Sequence, residues 1–400
     1  MIQVMNLQNF TVAQRLLVWA LRDSRTKEES DELRALYGEL GDDGAWDAAG
    51  ANKVSAIVGH ALMEVLARGE VPARWVTVHA AALRRTTAFI NELDRLASLL
   101  HACGVAVAVI ENGGVACAGF HCLGCFCSGD MDVLVVRSNL DEVDACLACE
   151  GYEHRTREGR IGDDWAGPDS NQRGWRVYFK QLDSAAPFFL NVMWRPILRR
   201  WLPAGDSIPA SVLLARSAPI DGRPTFLHVL SPEDNLLQCA LHTASHSYVR
   251  GPGLRLQLDV DRLVRHARID WNLFLERARQ YRVCARAFAS LALPRILFRT
   301  PVPERILYDL LPSTVRQTSI LQRIARAGLF HGQGRQFGSG ELFLFETLLD
   351  DAGHLAGFTR ALFPPVSWVR EGWRASAFTF PYSYSRRLWD LMRRTHLNQR

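Results

Sequence analysis

The sequence predicts an α+β fold: a small mixed sheet of roughly 100 residues held between two helical regions. Three observations predict it. Apolar residues recur at helical spacing before residue 104, short β-branched runs replace them between 105 and 194, and the helical period returns from about 230. The chain therefore divides into a helical region (1–103), a sheet-bearing core (104–205) and a helical region with a basic tail (206–400).

The helical reading of the first region rests on apolar stripes. Val54, Ile57, Val58, Ala61, Leu62 and Val65 form one, and Phe89, Ile90, Leu93, Leu96 and Leu100 another. At Gly104 the pattern changes. VAVAVI (105–110) reads as a buried strand closed by a turn at Asn112-Gly113-Gly114. VLVV (133–136) reads as a second buried strand, and WRVYFKQL (175–182) and FFLNVMW (188–194) as two more. A helix is expected over 139–150 and a polar loop over 159–174. Ser231-Pro232-Glu233-Asp234 is a helix start, with a Ser cap, Pro at the first position and acids in the first turn. Further helices are expected over 258–267, 270–281, 284–292, 304–311, 314–328 and 340–350.

Composition narrows the class. Apolar residues make up 48% and charged residues 22% of the 400, as in a globular protein with a large core. No secretory leader and no run long enough to span a membrane is seen, so the chain is expected in the cytosol with its nine cysteines reduced. Residues 370–400 hold seven arginines against Glu371 and Asp390. That tail reads first as a solvated helix face and second as a phosphate or acidic-partner contact. Nucleic acid is not the expected partner.

The segment that carries chemistry is Gly129-Asp130-Met131-Asp132-Val133-Leu134. Side chains alternate along a strand, so Asp130 and Asp132 point to one face. Two converging carboxylates call for a proton or a cation between them. Mg²⁺ suits them, since it takes oxygen ligands from one or two carboxylates and from substrate phosphates. Asp-x-Asp alone also occurs in solvated turns; here an apolar strand and a glycine pair precede it, and an apolar strand follows directly.

In order and spacing these segments resemble an uncharacterised nucleotidyltransferase family, family 5, with the polymerase-beta-like minimal nucleotidyltransferase fold. The resemblance covers most of the chain. It rests on the helical lead-in, the strand ending in glycine, the Asp130-Met131-Asp132 motif and Asn191-Val192-Met193-Trp194. Ser231 to Asp234 with His242 and His246, then Asp259 and Ile269-Asp270-Trp271, extend it. It implies transfer of a nucleotidyl group from a nucleoside triphosphate, ATP for preference, with Mg²⁺, to an acceptor such as a small molecule, sugar, peptide or protein. Relatives often accompany bacterial natural-product or polysaccharide pathways. The implied metal ligands are Asp130, Asp132 and Asn191. The implied nucleotide contacts are Asn112, Gly113, Gly114, Gly129, Lys180, His242 and His246.

The sequence also departs from the family pattern. Asn112-Gly113 stands for Lys-Gly, Phe126 to Ser128 for an arginine, Asn191 for an acid and Met193 for a histidine. Lys180 could replace a lost cation and Asp183 a lost acid. The same departures fit a second reading: a protein that keeps the fold without the chemistry and binds a peptide or carrier protein.

Three other signals compete. Cys122, Cys125 and Cys127, with Cys117 and His121, suggest zinc, with Cys146 and Cys149 as a second pair; the alternative is a loop of reduced thiols. His242 and His246 share a helical face, for packing or for substrate contact. Trp165, Trp175, Trp194 and Trp201 are expected in the core or an interface, with base stacking the alternative.

Overall fold

The computed structural model describes residues 9–127, 129–154, 174–182, 187–196, 208–220, 225–246, 248–249, 253–330 and 385. The polar loop, Asp183, Trp165, Trp201, the helix expected over 340–350 and the basic tail lie outside them. Thirteen α-helices and one mixed seven-stranded sheet make up the described fold, as the α+β expectation requires.

Four helices open the chain: α1 (Val12–Leu21), α2 (Lys27–Ala51), α3 (Ser55–Val65) and α4 (Ala73–Ala102). Thr11 with Gln14, and Thr26 with Glu29, form reciprocal capping boxes that fix the starts of α1 and α2. Lys27, Glu28, Glu29, Asp31 and Glu32 fall in the first turns of α2, and Gly41, at φ 75°, kinks that helix midway. No helix among the described residues is long and apolar enough to cross a membrane.

The sheet contains β1 (Ala108–Ile110), β2 (Asp130–Leu134), β3 (Glu153–His154), β4 (Trp175–Gln181), β5 (Pro187–Met193), β6 (Ala218–Pro219) and β7 (His228–Val229). Their spatial order is β3-β4-β5-β2-β1-β7-β6. The centre is parallel between β2 and β5 and antiparallel between β1 and β2. β7 runs parallel to β1, so residues well past 205 complete the sheet beside it. Of the apolar run at 105–110, only the last three residues join the ladder.

The two faces of the sheet differ because side chains alternate. Val133, Leu190 and Val192 point to one face, where they meet Leu93, Leu96 and Leu100 of α4 and Val143 and Leu147 of α6 (Leu140–Cys149). Each leucine buried there contributes about 1.5–3 kcal/mol relative to exposure. The other face carries polar residues at its centre. Helices α5 (Glu111–Ala118), α8 (Pro232–Ser245) and α9 (Gly253–His266) border it, while α7 (Ala210–Ala215) precedes β6. Ser231 caps α8 with Pro232 at its first position, as the sequence predicts. Helices α10 (Trp271–Gln280), α11 (Cys284–Phe298), α12 (Glu304–Leu310) and α13 (Thr314–Ala327) complete the C-terminal layer.

Candidate functional site

The polar centre is set by strand register. Asp130 lies opposite Phe189, and Asp132 opposite Asn191. Paired residues share a face, so Asp130, Asp132 and Asn191 project together from neighbouring strands. The amide of Asn191 bridges the acids: Nδ2 donates to Asp130 Oδ2 at 3.1 Å and to Asp132 Oδ1 at 2.6 Å.

A second asparagine closes the cluster. The backbone N–H of Asn112 donates to Asp132 Oδ2 at 3.1 Å, and its Nδ2 donates to Asp130 Oδ1 at 3.1 Å. All four carboxylate oxygens are thus engaged by two asparagines. Asn112 reaches them because the chain turns sharply after Ile110: Glu111 has φ 45°, the left-handed region, and α5 starts there. Such backbone persists only where surrounding contacts hold it.

This overturns one expectation. Gly113 and Gly114 form no turn; they lie inside α5. A Cβ on Gly113 would sit 2.7 Å from the carbonyl oxygen of Asp132, and one on Gly114 2.4 Å from Asn235 Oδ1. Asn235 in turn donates to Gly114 O at 3.2 Å. The glycines let α5 lie flat against β2 and α8, which brings Asn112 to the acids.

Charge surrounds the pair. Asp132 is 3% exposed. Burial first, then the neighbouring Asp130 and Glu111, push its carboxyl well above the usual carboxylate range. Glu111 faces His242, whose Nδ1 is 2.8 Å from Oε2. Burial disfavours charge on this imidazole, but Glu111 and Asp132 outweigh it and raise its pKa to about 9. Arg255, on α9, donates from Nη2 to Asn112 Oδ1 at 3.1 Å and from Nη1 to the carbonyl of Cys127 at 3.2 Å. Its neighbour one turn on, Asp259, lies 3.8 Å away and is buried. Burial raises the Asp259 carboxyl, and Arg255 opposes that rise.

Of the residues picked from sequence, the structure gathers Asp130, Asp132, Asn191, Asn112 and His242. His246 stacks on His242, ring centres 4.9 Å apart, at the exposed end of α8. Gly129 is exposed immediately before Asp130. Lys180 is carried elsewhere. Val177 is the residue opposite Asn191, so Lys180 has the other parity and projects from the opposite face. There its Nζ meets Glu92 of α4 at 3.1 Å and sits 5.0 Å from the centre of the Tyr152 ring. Cys146 lies 3.3 Å from Cys103, and Cys127 bonds the carbonyl of Cys125, so neither completes the expected pairings.

Sequence reasoning missed Glu111 and Arg255. Glu111 directly follows the apolar run 105–110, and a single acid at a strand end carries no distinct signal. Arg255 gives a weak signal, Arg and Asp one helical turn apart at 255 and 259. Yet its guanidinium touches both places where the sequence lacks the expected cations, Asn112 and the segment 126–128.

The donor set suits a hard divalent cation. It offers two carboxylates and an amide that presents oxygen or nitrogen from the same position, with oxygen the end a cation takes. The like charges of Asp130, Asp132 and Glu111 are the repulsion such a cation discharges. A family model described as an uncharacterised nucleotidyltransferase matches residues 39–299, a span containing the whole cluster. Comparison with curated proteins finds no match.

Proposed function

The chain belongs to that nucleotidyltransferase family, with nucleotidyl transfer as its general role, and on this premise we propose that it transfers a nucleotidyl group from a nucleoside triphosphate, with ATP as the favoured donor, to a hydroxyl or similar group of a biosynthetic acceptor in the cytosol. The observation that carries the reading is the convergence of Asp130, Asp132 and Asn191 on one sheet face. These three would hold Mg²⁺. When bound, the ion supplies charge neutralisation and orientation of the triphosphate for in-line displacement at phosphorus.

The chain's own groups have separate tasks. Asp130 and Asp132 fix the negative pole of the site. The backbone N–H of Asn112, in the first turn of α5, holds the Asp132 carboxylate in place. Arg255 holds Asn112 in place and sets a permanent positive charge beside it. His242, kept charged by Glu111, supplies a second cation at neutral pH. Phe179 and Phe189, ring centres 5.3 Å apart on the same face as Asn191, are the natural platform for a base.

The test is calorimetry and turnover on the full chain, with each labelled nucleoside triphosphate in the presence and absence of Mg²⁺. Saturable Mg²⁺-dependent binding is expected, followed by pyrophosphate release when acceptor is supplied. Binding and turnover unchanged in both Asp130→Ala and Asp132→Ala would sink the proposal. One observation favours a second reading, a binding protein for a peptide or carrier partner: the two asparagines already satisfy all four acid oxygens. In that case neither Mg²⁺ nor any triphosphate gives a binding isotherm.

A further inference from the structure

The nucleotide reading leaves one group of side chains unused. On the other side of the segment that leads into Asp130, two histidines and two cysteines converge. One ligand atom from each of His60, His79, Cys122 and Cys125 lies within 4.8 Å of all the others. His60 comes from α3 and His79 from α4, while Cys122 precedes and Cys125 ends the single turn Leu123–Cys125.

We infer that His60, His79, Cys122 and Cys125 form a structural zinc site that fastens the segment before Asp130 to the N-terminal helices.

The donor set is the Cys₂His₂ combination that zinc prefers, and four protein ligands leave no open position, as in structural sites. Zinc–ligand bonds of about 2.0–2.3 Å put tetrahedral ligand atoms roughly 3.3–3.8 Å apart. His79 Nε2 and Cys122 Sγ already stand 3.3 Å apart.

The backbone supports the same reading. Cys122-Leu123-Gly124-Cys125 forms a tight knuckle, in which the N–H of Cys125 donates to the carbonyl of Cys122 at 2.9 Å and that of Phe126 to Leu123 at 3.3 Å. Gly124 is required there: a Cβ would fall 2.4 Å from His79 Nε2 and 2.8 Å from Cε1. Glu64, one turn along α3, lies 3.4 Å from His60 Nε2 and pairs in turn with Arg25. Carboxylates orient metal-binding imidazoles in this manner. A cavity bordered by His60, Cys122, Cys125 and His121 gives the ion a way in.

A redox Cys-x-x-Cys needs no converging imidazoles, so the two histidines favour metal over thiol chemistry. On binding, the cysteines enter as thiolates and their protons pass to solvent. The consequence for the neighbouring site follows from the chain path. Two residues after Cys125, the carbonyl of Cys127 is held by Arg255, and Asp130 follows three residues later. Zinc on one side and Arg255 on the other fix both ends of this approach.

The experiment uses the full chain purified under reducing conditions without chelator. Elemental analysis is expected to find one zinc per chain. After zinc is stripped, Co²⁺ added alone should give tetrahedral d–d bands and thiolate-to-cobalt charge transfer. Cys122→Ser, His79→Ala and Gly124→Val should lose the metal, and Cys127→Ser should keep it. The inference is overturned by wild-type protein that holds no zinc and gives no cobalt bands. It is equally overturned if a Cys122→Ser/Cys125→Ser double variant retains zinc, or if Cys127→Ser loses it. Should the ligand variants fail to fold, the cobalt spectrum of wild-type chain decides alone. Neither measurement involves a nucleotide, so failure of the transferase reading leaves this result untouched.

Discussion

Arg255 holds Asn112 from behind: its Nη2 donates to Oδ1 at 3.1 Å, while the Nδ2 of the same amide donates forward to Asp130. The guanidinium thereby fixes which way the amide faces. Arg255→Ala frees the asparagine to rotate and removes a charge beside the acids. A hydrogen bond from a charged group contributes about 1.5–3 kcal/mol, so nucleotide affinity should fall roughly ten- to hundredfold. Calorimetry with Mg²⁺ and ATP measures this, and Arg255→Lys should recover only part of the loss, because lysine lacks the two-pronged geometry.

Asn191→Asp tests the departure at the third metal position. Without a cation, a third carboxylate replaces the amide that bridges Asp130 and Asp132, and the fold should lose about 1–3 kcal/mol. With a cation, the added charge should tighten Mg²⁺ binding above that of the wild type. Thermal unfolding with and without Mg²⁺ reads both effects: the variant's melting temperature should become strongly Mg²⁺-dependent. A variant whose melting is indifferent to Mg²⁺ would count against a metal at this position.

Gly113→Ala should damage the site through packing alone. The new methyl group would press on the backbone carbonyl of Asp132 at 2.7 Å, an atom that cannot swing aside. Overpacking of this kind costs about 1–3 kcal/mol, and α5 must lift off β2 to relieve it. Urea unfolding should show the loss, accompanied by weaker nucleotide binding.

Glu92 gives a pH signature remote from the acids. Burial would raise its carboxyl, but hydrogen bonds from Arg95, Tyr152 and Lys180 outweigh burial and hold it down at about 2. A depressed carboxyl adds stability that is complete above the unfolded value near 4.5 and disappears as pH falls through about 2. Glu92→Gln should therefore be destabilised at pH 7, by about 1–3 kcal/mol, with the gap to wild type narrowing as pH drops from 4.5 toward 2. Urea titrations across that window check it. In the same network, Lys180→Met should lower the melting temperature while leaving nucleotide affinity unchanged.

Much of this was legible in the chain, and the failures have physical causes. The short apolar and aromatic runs in WRVYFKQL and FFLNVMW mark β4 and β5, and Ser231-Pro232 marks the start of α8, because those signals are local. The Asp130–Asp132 pair is also local, since strand geometry alone puts both on one face. Gly113-Gly114 misleads because a glycine pair signals either a turn or a close approach, and only the approach of β2 decides. Lys180 misleads because its face depends on pairing with β5, and parity is settled by the partner strand. Arg255 and the pair His60 and His79 lie far along the chain from what they touch, so no spacing rule could reach them.

The place of β7 has a consequence for anyone who shortens the protein. In the intact chain β1 has a partner on both sides, β2 and β7. A fragment ending at residue 205 would strip β7 away and bare the edge of β1 where Ala108 and Val109 now pair with His228 and Val229. Exposed strands of that sort recruit one another. Such fragments are expected to precipitate or cross-associate during expression, and those extended past Val229 to stay dispersed.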